Sequence, residues 1–222
     1  GRLAVLLRPV DEEGSMAYFP FFVELAGASG LVAGGGKVAL RKVEKLLPYG
    51  PRLTVIAPRI DEKILAMPGV VCLRRAFEPA DLEGKDFAVA AAGDREVNHR
   101  IARLCRERKI PVNVVDDKEA SSFLFPSLIK RGELSVGIST GGSSPSAAIY
   151  LKERFAEAVP KNLPEILDFL AGERATIRQA VSCGERREAL MKELFWACME
   201  QGGPLTREEV RRRMEKYRED EA

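Results

Sequence analysis

The stretch SGLVAGGGKVALRKVEKLLPYG, residues 29–50, decides the fold. SGLVAGGG is a short apolar run ending in a glycine turn, which predicts a strand. KVALRKVEKLLPYG follows with Val38, Val43, Leu46 and Leu47 on one helical face and Lys/Arg on the other, and Pro48 and Gly50 stop it. Gly34, Gly36 and Ala39 spell G-x-G-x-x-A across the strand-to-helix turn. The first glycine permits the tight turn, and the second lets backbone approach a pyrophosphate. The small third residue lets helix pack on strand, while the helix N-terminus offers N–H groups and a positive dipole end. A dinucleotide site is therefore expected at this turn.

The same alternation continues outward. RLTVIAP predicts a second strand closed by Pro58, VVCLRRAF a third, and DFAVAAAG a fourth of small residues suited to burial on both faces. REVNHRIARLCRERK predicts a helix with Val97, Ile101, Leu104 and Cys105 inward, and IPVNVVDD a fifth strand. Strand–helix–strand spacing of this kind implies an α/β fold with a doubly wound parallel sheet. Near residue 126 the composition shifts to a strand pair and a Gly/Ser loop entering a helix. Beyond Pro160 it is helical, with a Leu163, Ile166, Leu167, Leu170 stripe, a helix over Glu188–Met199 stopped by Gly202 and Gly203, and a Thr206/Glu209 capping box.

Composition excludes several classes. Lys+Arg number 35 against 33 Asp+Glu, so the net charge of +2 does not suit a globally basic nucleic-acid binder. No apolar stretch approaches the about eighteen residues a membrane span needs. GRLAVLLRPVDEEGSM, at the start, lacks an A-x-A-like cleavage site and is expected to be a leader strand or an appended remnant, not a signal peptide. The 4 cysteines, without a C-x-x-C pair, and the 1 histidine argue against a Cys/His zinc site and predict reduced thiols in a cytoplasmic protein. No metal ligands are assigned, and His99 is expected to be solvated.

None of Tyr18, Tyr49, Tyr150 or Tyr217 is followed four positions on by lysine, so a short-chain reductase Tyr-x-x-x-Lys is absent, as is a P-loop. An acidic ribose ligand is missing where the second strand ends at Pro58 and Arg59; Arg59 facing a 2′-phosphate would suit NADP, and a plain loop charge is the alternative. Asp116 and Asp117 fall at the carboxyl end of the fifth strand, where open sheets place ligands. Adjacent carboxylates disfavour joint ionisation, which suits proton transfer; a cap or loop pair is the alternative.

FPFFVELAG, LVAGGGKVALRKVEKLL, VNVVDD and ASSFLFPSLIKRGELSVGISTGGSSPSAA, in that order before a helical tail, resemble the precorrin-2 dehydrogenase family, including the siroheme-synthase N-terminal module. The resemblance is strong over residues 18–160 and loose beyond. It implies a Rossmann-type NAD-binding domain over residues 1–125, a dimerisation segment over 126–160 and a C-terminal helical domain over 161–222, assembled as a homodimer. It implies NAD-dependent oxidation of precorrin-2 to sirohydrochlorin, with ferrous iron as a further substrate in those members that also make siroheme. The family's catalytic aspartate falls on Asp116. Its cofactor contacts fall on the Gly34, Gly35, Gly36 turn with Lys37 and Val38, and on Pro58 and Arg59, where they serve NAD. A serine phosphorylated in some relatives is Thr140 here, after Ser139. With Gly141 and Ser144 it is a candidate substrate loop, against the alternative of an ST-turn or helix cap.

A nucleotide-sensing regulatory module shares the fold and the glycine turn but needs neither Asp116 nor GISTGGSSPS. A purely structural protein dimerising through its tail needs neither catalysis nor cofactor.

Overall fold

The computed structural model describes residues 18–218, so the N-terminal stretch discussed above lies outside the described residues. The chain divides into two compact units at Pro126/Ser127.

In the first unit, β1 (Ser29–Ala33), β2 (Arg52–Ile56), β3 (Val70–Leu73), β4 (Phe87–Ala90) and β5 (Val112–Val114) form one sheet in the order β3-β2-β1-β4-β5. Every pairing is parallel, with Ala33 opposite both Ile56 and Ala90. This is the doubly wound sheet expected from the alternation, and its order reverses between β1 and β4. All five strands end at one edge, where such sheets take ligands.

Two cores cover the faces. On one, α1 (Lys37–Leu46) and α2 (Glu62–Leu65) bury Ala39, Leu40, Val43, Leu46 and Ile64 against Val32, Val55 and Val89. On the other, α3 (Arg95–Glu107) packs Ile101, Ala102 and Cys105 on Leu31, Ala88 and Val112. One expectation fails: Val38 is exposed, not inward. With Gly36 as N-cap, the buried stripe of α1 runs through 39, 40, 43 and 46, which turns Val38 out in the first turn. The helical stop at Pro48 and Gly50 is a 3₁₀ turn over Leu47–Tyr49 capped by Gly50 at φ 71°. The short α2 and a 3₁₀ turn over Pro79–Leu82 are additions that a few residues of sequence did not reveal.

In the second unit, β6 (Ser127–Arg131) and β7 (Leu134–Ile138) form the expected strand pair, here antiparallel, followed by α4 (Pro145–Ala158). Arg131 donates from its guanidinium to the carbonyls of Val159 (2.9 Å) and Ala156 (2.9 Å), fastening the hairpin to the end of α4. The helices α5 (Leu163–Ala180), α6 (Gly184–Gln201) and α7 (Arg207–Glu215) then enclose Ile166, Leu170, Ile177, Leu190, Leu194, Cys198, Val210 and Met214. Gly202 at φ 80° caps α6, and the Thr206/Glu209 capping box opens α7 with both reciprocal bonds formed. Among the described residues, no helix is long and apolar enough to cross a membrane.

Candidate active site

The glycine turn sits at the ligand edge of the sheet. Gly34 takes φ +135°, a conformation L side chains rarely adopt, and a Cβ there would lie 2.1 Å from the Ala91 carbonyl oxygen beyond β4. Gly35 crosses the loop after β2, where a Cβ would lie 2.3 Å from the Arg59 carbonyl oxygen. Gly36 differs: apart from its chain neighbours, no atom of the described residues lies within 4 Å of where its Cβ would be. The protein's own packing thus requires the first two glycines, while the third faces open space. α1 starts at Gly36 with no side-chain cap and no acidic residue in its first turn, and Lys37 is exposed there. A bare helix N-terminus beside open space is what a pyrophosphate requires. Ala39 is fully buried under this turn, as the motif demands.

Pro58 and Arg59 are exposed at the same edge. Asp61 is the nearby acid, but its carboxylate accepts from the Lys63 N–H at 2.9 Å as the cap of α2, and its own N–H donates to the Gly35 carbonyl at 2.8 Å. The loop after β4 is held by Asn98, whose amide accepts from Ala92 N–H (2.9 Å) and donates to Ala92 C=O (2.9 Å). Asn98 is 6% exposed, and with Asn113 it makes up the buried polar side chains among the described residues. A polar residue on the otherwise apolar inward face of a charged helix was its signal in the sequence.

Beyond β5 the two aspartates part. Asp116 is exposed with φ 58°, a left-handed backbone that costs a non-glycine residue about 1–3 kcal/mol and clusters at functional sites. The Asp117 carboxylate instead meets α3: Oδ2 lies 2.8 Å from His99 Nε2, and Oδ1 accepts from Ala120 N–H at 2.9 Å. The Ala120 N–H and then His99 hold the Asp117 carboxyl below the usual carboxylate range. Proton sharing between neighbours is therefore not how this pair is built, because Asp117 is held ionised by other partners. His99 is half-buried on Asp117, not simply solvated as expected.

Residues 21–127 match the family model described as putative NAD(P)-binding. Siroheme synthase 1 of Aeromonas salmonicida (strain A449) is 42% identical over 185 residues, 82% of this chain and 38% of that protein. Siroheme synthase of Thioalkalivibrio sulfidiphilus (strain HL-EbGR7) is 36% identical over 194 residues, 86% of this chain and 38% of that one. The solved structure of SirC, precorrin-2 dehydrogenase, matches with a TM-score of 0.67 at 26% identity, covering 90% of this chain and 100% of its own. The chain belongs to the precorrin-2 dehydrogenase and siroheme synthase family. It spans 38% of the length of each of those two synthases.

The Gly/Ser loop of the second unit is tightly self-bonded. Ser139 Oγ accepts from Gly141 N–H (3.2 Å), and Thr140 Oγ1 donates to Ser144 C=O (3.0 Å) and accepts from Ser144 N–H (3.2 Å). Ser144 Oγ caps α4 through Ala147 N–H at 3.1 Å. The loop's own turn and cap thus use all three hydroxyls, and Gly141 takes φ 63°. Gly137–Gly141 also spells G-x-S-x-G, but Ser139 follows an antiparallel hairpin strand and lacks the parallel-sheet elbow that makes this string a nucleophile. No group of three or more His, Cys, Asp or Glu among the described residues is placed to hold a metal ion.

Proposed function

We propose that this chain catalyses the NAD-dependent dehydrogenation of precorrin-2 to sirohydrochlorin, with Asp116 as the residue that takes the departing proton. The observation that carries this is Asp116 itself: a carboxylate on a left-handed backbone, at the same sheet edge as an uncapped glycine turn. Nicotinamide, when bound, supplies the hydride acceptor. The backbone at Gly34, Gly35 and Gly36, with Lys37 and Val38, holds the cofactor's pyrophosphate, and Pro58 and Arg59 border its ribose. Asp116 accepts the proton released as the macrocycle is oxidised. Asp117, tied to His99 and Ala120, fixes the turn that presents its neighbour.

Ser139, Thr140, Gly141 and Ser144 form a preorganised loop in which Ser139 and Ser144 accept through Oγ and keep their O–H donors for the carboxylates of the tetrapyrrole. Ferrous iron is proposed as a second substrate, with Asp116 assisting removal of pyrrole protons. A homodimer through residues 126–160 is supported by α4, which buries only Ala148 and leaves Ile149 (54%), Tyr150 (56%) and Phe155 (51%) exposed. The free thiols Cys72, Cys105, Cys183 and Cys198 suit a cytoplasmic setting.

The deciding experiment mixes the protein with precorrin-2 and either NAD or NADP and follows reduced nicotinamide by absorbance, then adds ferrous iron and follows the siroheme spectrum. NADH formation is the expected result. Dinucleotide binding without turnover would identify a sensing module instead.

A further inference from the structure

Lys42 is a charged group near this edge that the proposed chemistry leaves unused. It stands in the second turn of α1, half-buried, and among the described residues it has no ion pair. Its Nζ donates to Asn113 Oδ1 at 3.1 Å and lies 4.0 Å from the centre of the Phe125 ring. Asn113 cannot turn away freely: it is 5% exposed within β5, and its Nδ2 donates to the Phe123 carbonyl at 3.0 Å, which aims its oxygen at the lysine. The seat is therefore built, and it is built from neutral parts, an amide oxygen and an aromatic face.

A half-buried ammonium usually acquires a carboxylate partner, because its lost hydration is otherwise poorly replaced. The charged groups facing Lys42 are Lys45 on its own helix, which repels it, and Asp116 beyond β5, which attracts it; Asn113 of β5 and Phe125 carry no charge. Burial first, and then Lys45, push the ammonium down to about 8, with Asp116 opposing. A cation kept short of counter-charge beside the proposed reacting carboxylate is prepared for an anion that arrives with the ligand.

We propose that Lys42 is a substrate-binding residue that pairs with one carboxylate of the tetrapyrrole and thereby sets the macrocycle's position relative to Asp116. The assignment rests on Asp116 marking the reacting edge, and it makes Lys42 a determinant of specificity for carboxylated macrocycles. A charge-assisted pair of this kind is worth about 1.5–3 kcal/mol, or roughly one to two decades in affinity.

The test compares wild type, Lys42→Arg and Lys42→Met across the pH range around 8. Two readouts are needed: KM and kcat with precorrin-2, and binding of uroporphyrin, a tetrapyrrole with only carboxylate side chains, followed by its absorbance. Lys42→Met is expected to weaken uroporphyrin binding and raise KM about tenfold or more while dinucleotide affinity holds. In wild type, binding should weaken as pH rises through about 8; Lys42→Arg should bind well and lose that dependence. If Lys42→Met binds uroporphyrin like wild type and loses only thermal stability, the lysine is a tether between α1 and β5 and the proposal is overturned. Failure of wild type to oxidise precorrin-2 would instead strike the proposed function, and uroporphyrin binding would still decide Lys42.

Discussion

The two units of this protein spend their buried volume differently. The C-terminal unit encloses aliphatic and sulfur side chains, and its polar devices, the Thr206/Glu209 box and the Gly202 cap, stay at helix ends. The N-terminal unit buries two asparagines and places a left-handed aspartate and a φ +135° glycine at the carboxyl edge of its sheet. Each of these features costs free energy that an apolar side chain or an ordinary turn would not. Stability alone explains the N-terminal unit poorly and the C-terminal unit well, so chemistry is to be sought where the costs are concentrated.

Breaking that contrast at its sharpest point should give the largest effect. Asp116→Asn should lower dehydrogenase turnover by about 10²–10⁴, the range for loss of a general base, while dinucleotide affinity by calorimetry stays near wild type. Near-normal turnover would make Asp116 a strained loop residue only. Asp117→Asn should cost less, because its carboxylate organises the turn and does not meet substrate.

The glycines sharpen the contrast further. Gly36→Val adds a side chain to open space on an ordinary φ of −91°, so it should fold and lose about tenfold or more in NAD affinity. Gly34→Val should fail to give stable protein at all, since both its φ and the Ala91 carbonyl oppose a Cβ. Equal melting temperatures for the two variants would contradict this division of labour.

A smaller effect is expected at Asn98. Its replacement by Ala leaves both polar groups of Ala92 without their partner and should cost about 1–3 kcal/mol in chemical denaturation. Dinucleotide affinity should fall with it. In the other unit, Thr206→Ala removes one cap and should cost about 1 kcal/mol with turnover unchanged.

The subtlest effect is a pH dependence. Folding lowers the Lys42 ammonium from its ordinary 10.5 to about 8, so between those values the unfolded chain holds a proton the folded one has shed. Stability should therefore rise with pH across that window, and Lys42→Met should flatten the rise. An unchanged slope in the variant would assign the rise to other groups.

Legibility in the sequence followed the range of the interactions. The parallel sheet and the glycine turn were readable because periodicity and backbone demands act over a few residues, whereas the strand order came only with the structure. Val38 was misplaced because it precedes Val43 by five residues, which at about 100° per residue sets it well around the helix from the buried Ala39, Leu40, Val43 and Leu46. The pairing of Asp117 with His99 spans 18 residues, and that of Lys42 with Asn113 spans 71, distances over which no spacing rule operates. Asn98 and Asn113 had a faint signal, an amide among apolar neighbours, but nothing local says what such an amide will hold.

The crossing at Gly35 bears on how cofactor preference can change. The atom that forbids a side chain there is the main-chain oxygen of Arg59, while the Arg59 side chain is exposed. The loop is therefore held by its main chain and by Ala57, Ile60 and Asp61, and the Arg59 side chain takes no part in that anchoring. In the proposed site, substitutions at 59 would alter the charge presented to a ribose without disturbing the glycine turn, a short evolutionary route between NAD and NADP. The same step taken at Gly35 is closed.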